Sequence, residues 1–426
     1  MTSPRWDSIS SEGYSGKQGR AFREAIDPDP NGAQIANEPA FLYRPILLAS
    51  VSLGMLSILL PIYARQLGAS ATAIGGLFSV FTAVLLVVRP LTGWALDHYG
   101  RRPLLLLALF IYVVCMLVFG RSIDLPSLYA GRVLHGIGAA VMWLTLRTVV
   151  ADIVPDQRRA RIMGRLTEQS ARGSMLGAFF GFTLLGFLPL AAAWQWSFLG
   201  YAALSLVALV QTWYRVPETK SDGEPSLVPP WDIGAVALSA LVAVVALAEA
   251  LIGPIFLIML TDRFELEPSM LGMVMAGGIL YAILPSRAGA WGDRIGRYRV
   301  VVLGLALAAF ANGSFPFLPS VWVLILVYTV LVGAWCMVTP QLDALVTSRT
   351  SPLSRGRTVA RYEFVRGAGA ACGPLAGGWL YDEWHVAAPF VANSSLLLLT
   401  AVTTLVVLVY SHKRVAGSTR DQVGEP

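Results

Sequence analysis

The chain has 426 residues, of which 55% are hydrophobic and 14% charged, where globular proteins carry about 25% charged residues. Its net charge of +6 comes almost wholly from arginine, with Lys17, Lys220 and Lys413 the only lysines. On a soluble protein that balance would suggest nucleic acid; arginines held in short loops between apolar runs argue for membrane topology and against a nucleic-acid partner.

The first 40 residues are polar and rich in Pro, Gly, Ser and Asp, a composition that reads as disorder without a cleavable signal peptide. Twelve apolar runs follow, at about 42–64, 71–95, 103–120, 126–151, 164–188, 193–214, 233–260, 268–290, 300–318, 320–345, 358–381 and 386–410. A helix needs roughly 20 apolar residues to cross a bilayer. Backbone in lipid must bond to itself, and these runs are too long and continuous for barrel strands, which alternate over about 10 residues. The fold class is all-α integral membrane, with twelve transmembrane helices in two pseudo-symmetric six-helix halves, 41–214 and 233–410. A linker at 215–232, carrying Pro217, Gly223, Pro225, Pro229 and Pro230, joins them, and a short tail, 411–426, follows. With a cytoplasmic N-terminus, inside segments carry 23 arginines and lysines and outside loops only Arg65, Arg121 and Arg263. Both termini are then cytoplasmic under the positive-inside rule. Cys115, Cys336 and Cys372 fall inside apolar runs, an odd set that argues against a disulfide framework. Compact loops and heavy arginine usage suggest a prokaryotic inner membrane.

Between the second and third spans the chain reads Gly93-Trp94-Ala95-Leu96-Asp97-His98-Tyr99-Gly100-Arg101-Arg102. Between the eighth and ninth it reads Gly289-Ala290-Trp291-Gly292-Asp293-Arg294-Ile295-Gly296-Arg297, and Asp97 and Asp293 stand 196 residues apart. At the same offset Gly76 matches Gly272, Arg161 matches Arg357, Arg165 matches Arg361, Gly177 matches Gly373 and Gly181 matches Gly377. Halves that repeat in parallel are related by an axis along the membrane normal and enclose a substrate cavity near mid-depth. Gly100 and Gly296 permit the tight turn, and Arg101, Arg102 and Arg297 hold the loops at the cytoplasmic face. Asp97 and Asp293 can pair with an arginine or the N-terminus of a neighbouring helix; a pair made in one conformation only is a gate latch. The plainer alternative is a turn carrying a topology signal.

Charges inside spans are costly and usually functional. Arg132 in the fourth span either faces the bundle interior or snorkels to the outer interface. Glu249 is the only carboxylate in the middle of the seventh span, with Gly253 and Pro254 softening the helix just beyond. It is a candidate either to bind and release a proton or to pair structurally with an arginine. Arg147, Glu168, Arg172, Glu363 and Arg366 form a charge set in the cytoplasmic half, read as inner-gate charges with Asp97, with Glu168 also a coupling candidate. Glu168–Arg172 and Glu363–Arg366 also have the spacing of within-helix pairs.

The duplicated loop resembles that of the major facilitator superfamily, Gly-x-x-x-Asp-Arg/Lys-x-Gly-Arg-Arg/Lys, with His98 in a usually basic place. Arg132-Val133-Leu134-His135-Gly136-Ile137-Gly138 is similar to the family's fourth-helix motif, Arg-x-x-Gln-Gly-x-Gly, with His135 where glutamine is common. The resemblance covers about residues 41–412 and implies proton coupling through Arg132. It also implies a cavity lined by the first and fourth helices of each half, with Tyr63, Met142, Trp143, Glu249, Trp335, Met337 and Gln341 as candidates. The family's antiporter signature belongs in the fifth helix, where Gly173, Gly177 and Gly181 are present but Ala178 and Phe182 depart from it. The eleventh span carries Gly373, Pro374, Gly377 and Gly378, and small residues at this spacing most simply mean close helix packing.

The expectation is a secondary transporter, most like the twelve-helix drug–proton antiporters, exporting small amphipathic or drug-like molecules by alternating access. It would act as a monomer in the lipid bilayer on a small-molecule substrate, driven by the proton gradient, with no bound cofactor or metal. The alternative is uptake or exchange of a polar metabolite, a sugar or organic anion. A non-transporting sensor would need a soluble domain that the termini are too short to supply. An enzyme is disfavoured, for want of metal-spaced His or Cys and of a nucleotide loop.

Overall fold

The computed structural model describes residues 39–154, 156–219, 233–264, 266, 271–274, 277, 278, 280, 284–348 and 355–422. The N-terminal stretch, most of the linker, the side chains of Asp97 and Asp293 and the surroundings of Gly289 lie outside what is described. The described residues form helices and no strand. Nine helices among them are long and apolar enough to cross a membrane.

The first span covers Ala40–Gln66, broken for one residue at Ser50. There follow the second (Ala71–Tyr99), third (Arg101–Gly120), fourth (Leu125–Ile153), fifth (Asp156–Leu185) and sixth (Leu190–Arg215) helices. The second half has the seventh (Ile233–Phe264), ninth (Arg297–Ser314), tenth (Val321–Ser348), eleventh (Arg355–Glu383) and twelfth (Ala388–Gln422). In the eighth position Leu271–Val274 and Leu284–Ile295 are described as helix. Helix ends follow local chemistry. The Ser70 hydroxyl accepts from the Ala73 N–H at the start of the second helix, and the Asp124 carboxylate accepts from the Ser127 N–H at the start of the fourth. The fifth and eleventh helices begin eight and three residues before the predicted spans, at Asp156 and Arg355. Hydropathy misses these turns because their charged residues lie beyond the apolar run, while helical hydrogen bonding continues.

Packing repeats between the halves. The first helix packs on the fifth, and the seventh on the eleventh. A Cβ at Gly173 would meet the Leu47 carbonyl at 2.2 Å, and one at Gly369 the Ala243 carbonyl at 2.2 Å. Gly177 faces the Val51 carbonyl and Gly373 the Leu247 carbonyl; Gly181 faces Met55 and Gly377 faces Leu251. Every one of these six pairings keeps the 196-residue offset. Five of the six glycines therefore bring backbone against backbone, and Gly181 meets the Met55 side chain. We expect Gly177→Leu and Gly373→Leu each to lower the thermal midpoint, by an overpacking cost of about 1–3 kcal/mol, measured by scanning fluorimetry in detergent.

The second half has a buried polar contact of its own. Asn312 Nδ2 donates to Asn393 Oδ1 at 2.8 Å, and Asn393 Nδ2 donates to the Ala248 carbonyl, joining the ninth, twelfth and seventh helices. Asn393→Leu strands the Asn312 amide, so it should cost about 1–2 kcal/mol, read as a lower midpoint in the same scan.

Candidate functional site

Two adjoining recesses, of about 240 and 370 Å³, open between the seventh, tenth, eleventh and second helices. Both include Ala246, Glu249, Glu363 and Arg366. The residues belong to the end of the bundle that carries the glycine–arginine loops. Val242, Val245, Leu342 and Val346 supply apolar wall, and Thr339 and Tyr362 add hydroxyls. Glu249 is exposed to the recess from mid-helix. Arg366 Nη1 stands 3.5 Å from Asp343 Oδ1 and 3.5 Å from Glu363 Oε1, so one guanidinium is shared by two carboxylates on different helices. Glu249 feels the charges of Arg366 and Asp343, and Arg89, on the second helix, those of Arg147 and Glu363. Three carboxylates and two arginines thus face one apolar-walled space. Such a space can hold a proton, a cation or an anion according to which acids are ionised.

The opposite end of the same helices is closed. Asp382, at the end of the eleventh helix, accepts from the Ala71 N–H at 3.0 Å and from the Thr72 N–H and hydroxyl, each at 2.6 Å. A carboxylate of one half thereby caps the N-terminus of the second helix in the other, where the helix dipole favours negative charge. Partial burial pushes this carboxyl up, and the Thr72 and Ala71 hydrogen bonds outweigh that, leaving it below its ordinary range. Asp382 lies one residue past the predicted end of the eleventh span. Beside it, Asp262 takes Arg65 Nη2 at 2.8 Å and the Tyr381 hydroxyl at 3.1 Å, again bridging the halves.

The first glycine–arginine loop is anchored by a carboxylate from the sixth helix's exit. Gly100 has φ +89°, and Glu218 accepts from the Arg101 and Arg102 N–H groups at 2.8 and 3.1 Å, capping the third helix. Arg101 is buried and its Nε donates to Asp152 Oδ2 at 2.7 Å. The guanidinium thus ties the third helix to the fourth. Arg102 is half-buried and reaches the Trp213 carbonyl at 2.6 Å. In the second copy Gly296 has φ +101°, and Arg297 donates to the Ala344 carbonyl at 3.1 Å. Gly93 has open space around it. The latch role of Asp97 and Asp293 falls on side chains outside the described residues.

The remaining predicted residues divide. Arg132 is 3% exposed, with its guanidinium carbon 4.3 Å from the Phe78 ring and 5.4 Å from Phe81, and Nη1 3.4 Å from His135 Nδ1. It does not snorkel; its Nε and His135 Nε2 are buried without a hydrogen-bond partner. Glu168 and Arg172 pair with each other on an exposed face of the fifth helix, apart from the recess. Six cavity candidates are not among the residues lining the two recesses. Met142 packs among Leu42, Ile46 and Leu109. Trp143 packs against the core. Trp335 is buried in the core, and Met337 lies against Gly304. Gln341 donates to the Ala288 carbonyl at 2.7 Å. Tyr63 stacks on Trp194 and donates to the Ser122 carbonyl. The tenth helix is apolar all round, so periodicity gave no inward face, and large residue type was a poor substitute. Sequence reading missed Asp343 and Arg89 because both lie close to predicted span ends, where a charge reads as an interface residue. The signal that could have found Asp343 is that it is the only carboxylate of the tenth span. Asp382 and Asp262 gave no signal beyond loop polarity.

Comparison with known proteins agrees with this architecture. Multidrug resistance protein 2 of Bacillus subtilis is 26% identical over 180 residues, which is 42% of this chain and 44% of that protein; the chain thus matches less than half the length of that relative. Quinolone resistance protein NorA of Staphylococcus aureus is 22% identical over 388 residues, covering 86% of this chain and 95% of its own. Among solved structures, a D-xylose–proton symporter superposes with a TM-score of 0.68 at 15% identity, over 86% of this chain and 97% of that one, a likeness of fold. The sequence model of the Major Facilitator Superfamily matches residues 46–234 and 238–425. The chain belongs to the Major Facilitator Superfamily.

Proposed function

We propose that this protein is a proton-coupled secondary transporter that exports small amphipathic, drug-like molecules across a prokaryotic inner membrane, with both termini cytoplasmic, acting as a monomer. The observation that carries the reading is the recess in which Glu249, Asp343 and Glu363 face Arg366 across apolar walls. In the proposed orientation that recess opens to the cytoplasm and the Asp382 cap closes the outside. A drug-like molecule enters among Val242, Leu342 and Val346 and displaces protons from the acids; the halves rock, the cap opens and the molecule leaves outward. Glu249 and Asp343 are the proposed proton carriers, and Arg366 moves its attraction between the acids as they titrate. Names of relatives that confer drug resistance support this substrate class. Arg132, buried beside His135, is proposed to assist coupling from the first half.

A second reading, exchange of an organic anion, is favoured by the two arginines, Arg89 and Arg366, that face the same space. Purified protein in liposomes loaded with a pH-sensitive dye separates the two. Proton movement on addition of lipophilic cations or neutral drugs supports export. Movement with organic acids or sugars and none with drugs replaces it by the second reading.

A further inference from the structure

A crevice of about 710 Å³ lies beside the crossing of the second and eleventh helices, lined by Ser79, Val80 and Ala83 on one and by Cys372, Leu375 and Trp379 on the other. It is not part of the acid-lined recess; the two meet only at neighbouring residues, Thr82 with Ala83 and Ala370 with Ala371. Three observations say what occupies it.

First, the crevice faces lipid. Ala83 continues into the exposed stripe Val87 and Leu91 at fourfold spacing, and Cys372 lies on the stripe that includes Phe364, Leu375 and Trp379. Second, it has the depth of one leaflet. From Thr72 to Ala83 the second helix rises about 16 Å at roughly 1.5 Å per residue, and half a hydrocarbon core is about 15 Å. Third, its mouth is marked by Trp379 and Trp384, ring centroids 6.2 Å apart and both exposed, as aromatic side chains are at the level of lipid headgroups. The floor is made of small residues, Ala83 and Ala371; nearer the mouth the crevice is bounded by close backbone contact between the two helices, Gly75 against the Pro374 carbonyl and Gly378 against the Ala71 carbonyl.

We propose that this crevice is a binding site for one acyl chain of a phospholipid in the leaflet at the Asp382 end, the outer leaflet in the orientation given above. Charged ligands find no partner there, because the walls are alanine, valine, leucine, cysteine and tryptophan, with the hydroxyls of Thr72 and Ser79 and the Trp379 indole as the polar groups. The Ser79 hydroxyl is already engaged by the Leu375 N–H at 3.1 Å. The chain fills the seam between the halves in the form with the outer end closed, and rocking of the halves must expel or reseat it. The assignment uses the proposed orientation only to name the leaflet; the site itself stands whether the transported molecule is a drug or an anion.

The test uses full-length protein in nanodiscs made with a phosphatidylcholine that carries a diazirine midway along one acyl chain. After irradiation, adducts are mapped by mass spectrometry in wild type, Ala371→Phe and Ala83→Leu. The expected result is enrichment of adducts on residues 79–83 and 371–379 over the other lipid-facing stripes, retained after dilution with unlabelled lipid and reduced severalfold in both variants. Size-exclusion profile and helical circular dichroism of each variant establish that it is folded; Ala83→Leu serves if Ala371→Phe is not. Adducts spread evenly over all lipid-facing helices, or equal in wild type and folded variants, overturn the proposal. So does labelling of the crevice by a diazirine-bearing drug in preference to the phospholipid.

Discussion

Glu249→Gln is expected to abolish drug-driven proton movement in liposomes while leaving the protein folded. The glutamine keeps the shape and loses only the ability to ionise, and Glu249 already stands open to the recess, so little packing is disturbed. The size of the effect follows from what coupling requires. A carrier that cannot release a proton when the substrate arrives has no exchange step left, so flux should drop to the level of empty liposomes. Binding of the same drug, measured by quenching of intrinsic fluorescence, should persist, because Val242, Leu342 and Val346 are untouched. Asp343→Asn gives the companion result. It also removes one of the two acids that share Arg366, which leaves the guanidinium to Glu363 alone. Full proton movement in both variants would remove these two acids from the coupling step and direct attention to Arg132 and His135.

Asp382→Ala should open the end of the bundle that the cap closes, the outer end in the proposed orientation. The carboxylate makes three hydrogen bonds to the start of the second helix. Loss of a charge-assisted cap of this kind costs about 2–3 kcal/mol, which is about 30- to 150-fold in the balance between the two forms. The neighbouring Arg65–Asp262 pair is partly exposed and contributes under about 1 kcal/mol, so it cannot restore the balance. Spin labels at Gln66→Cys and Glu383→Cys, on a Cys372→Ser background, would report the change as a longer, populated distance between the outer ends of the first and eleventh helices. An unchanged distance distribution would mean that the backbone contacts at Gly75 and Gly378, and not the cap, hold this end shut. Asp382→Asn, which keeps an acceptor oxygen but loses the charge, should fall between the two.

Much of the fold could be read before any coordinates, and for a plain reason. Lipid demands continuous apolar helix, so spans announce themselves, and positive φ at Gly100 and Gly296 was required by the shortness of the loops. Glu249 was legible as a cavity residue because a carboxylate in the middle of an apolar run is costly unless it faces a cavity or a partner. Asp343 was not, since a few residues' displacement toward a span end turns a buried acid into an expected one. Met142, Trp335 and Gln341 were misjudged for a different cause. Helices apolar on every side carry no periodicity to show which face meets the cavity, and only the neighbours' placement decides it. The cap at Asp382 depends on two segments 310 residues apart meeting at their tips, a fact held by tertiary packing and by no local pattern.

The paired glycine contacts of the fifth helix on the first and the eleventh on the seventh have a mechanical consequence. A side-chain interface yields under load by changing rotamers; backbone pressed on backbone has none to change. Each half is therefore stiff along those seams, and displacement applied at one face reaches the other undiminished, as through a lever. A small charge rearrangement around Arg366 at one end of such an arm can then be felt as a separation of several helix tips at the other.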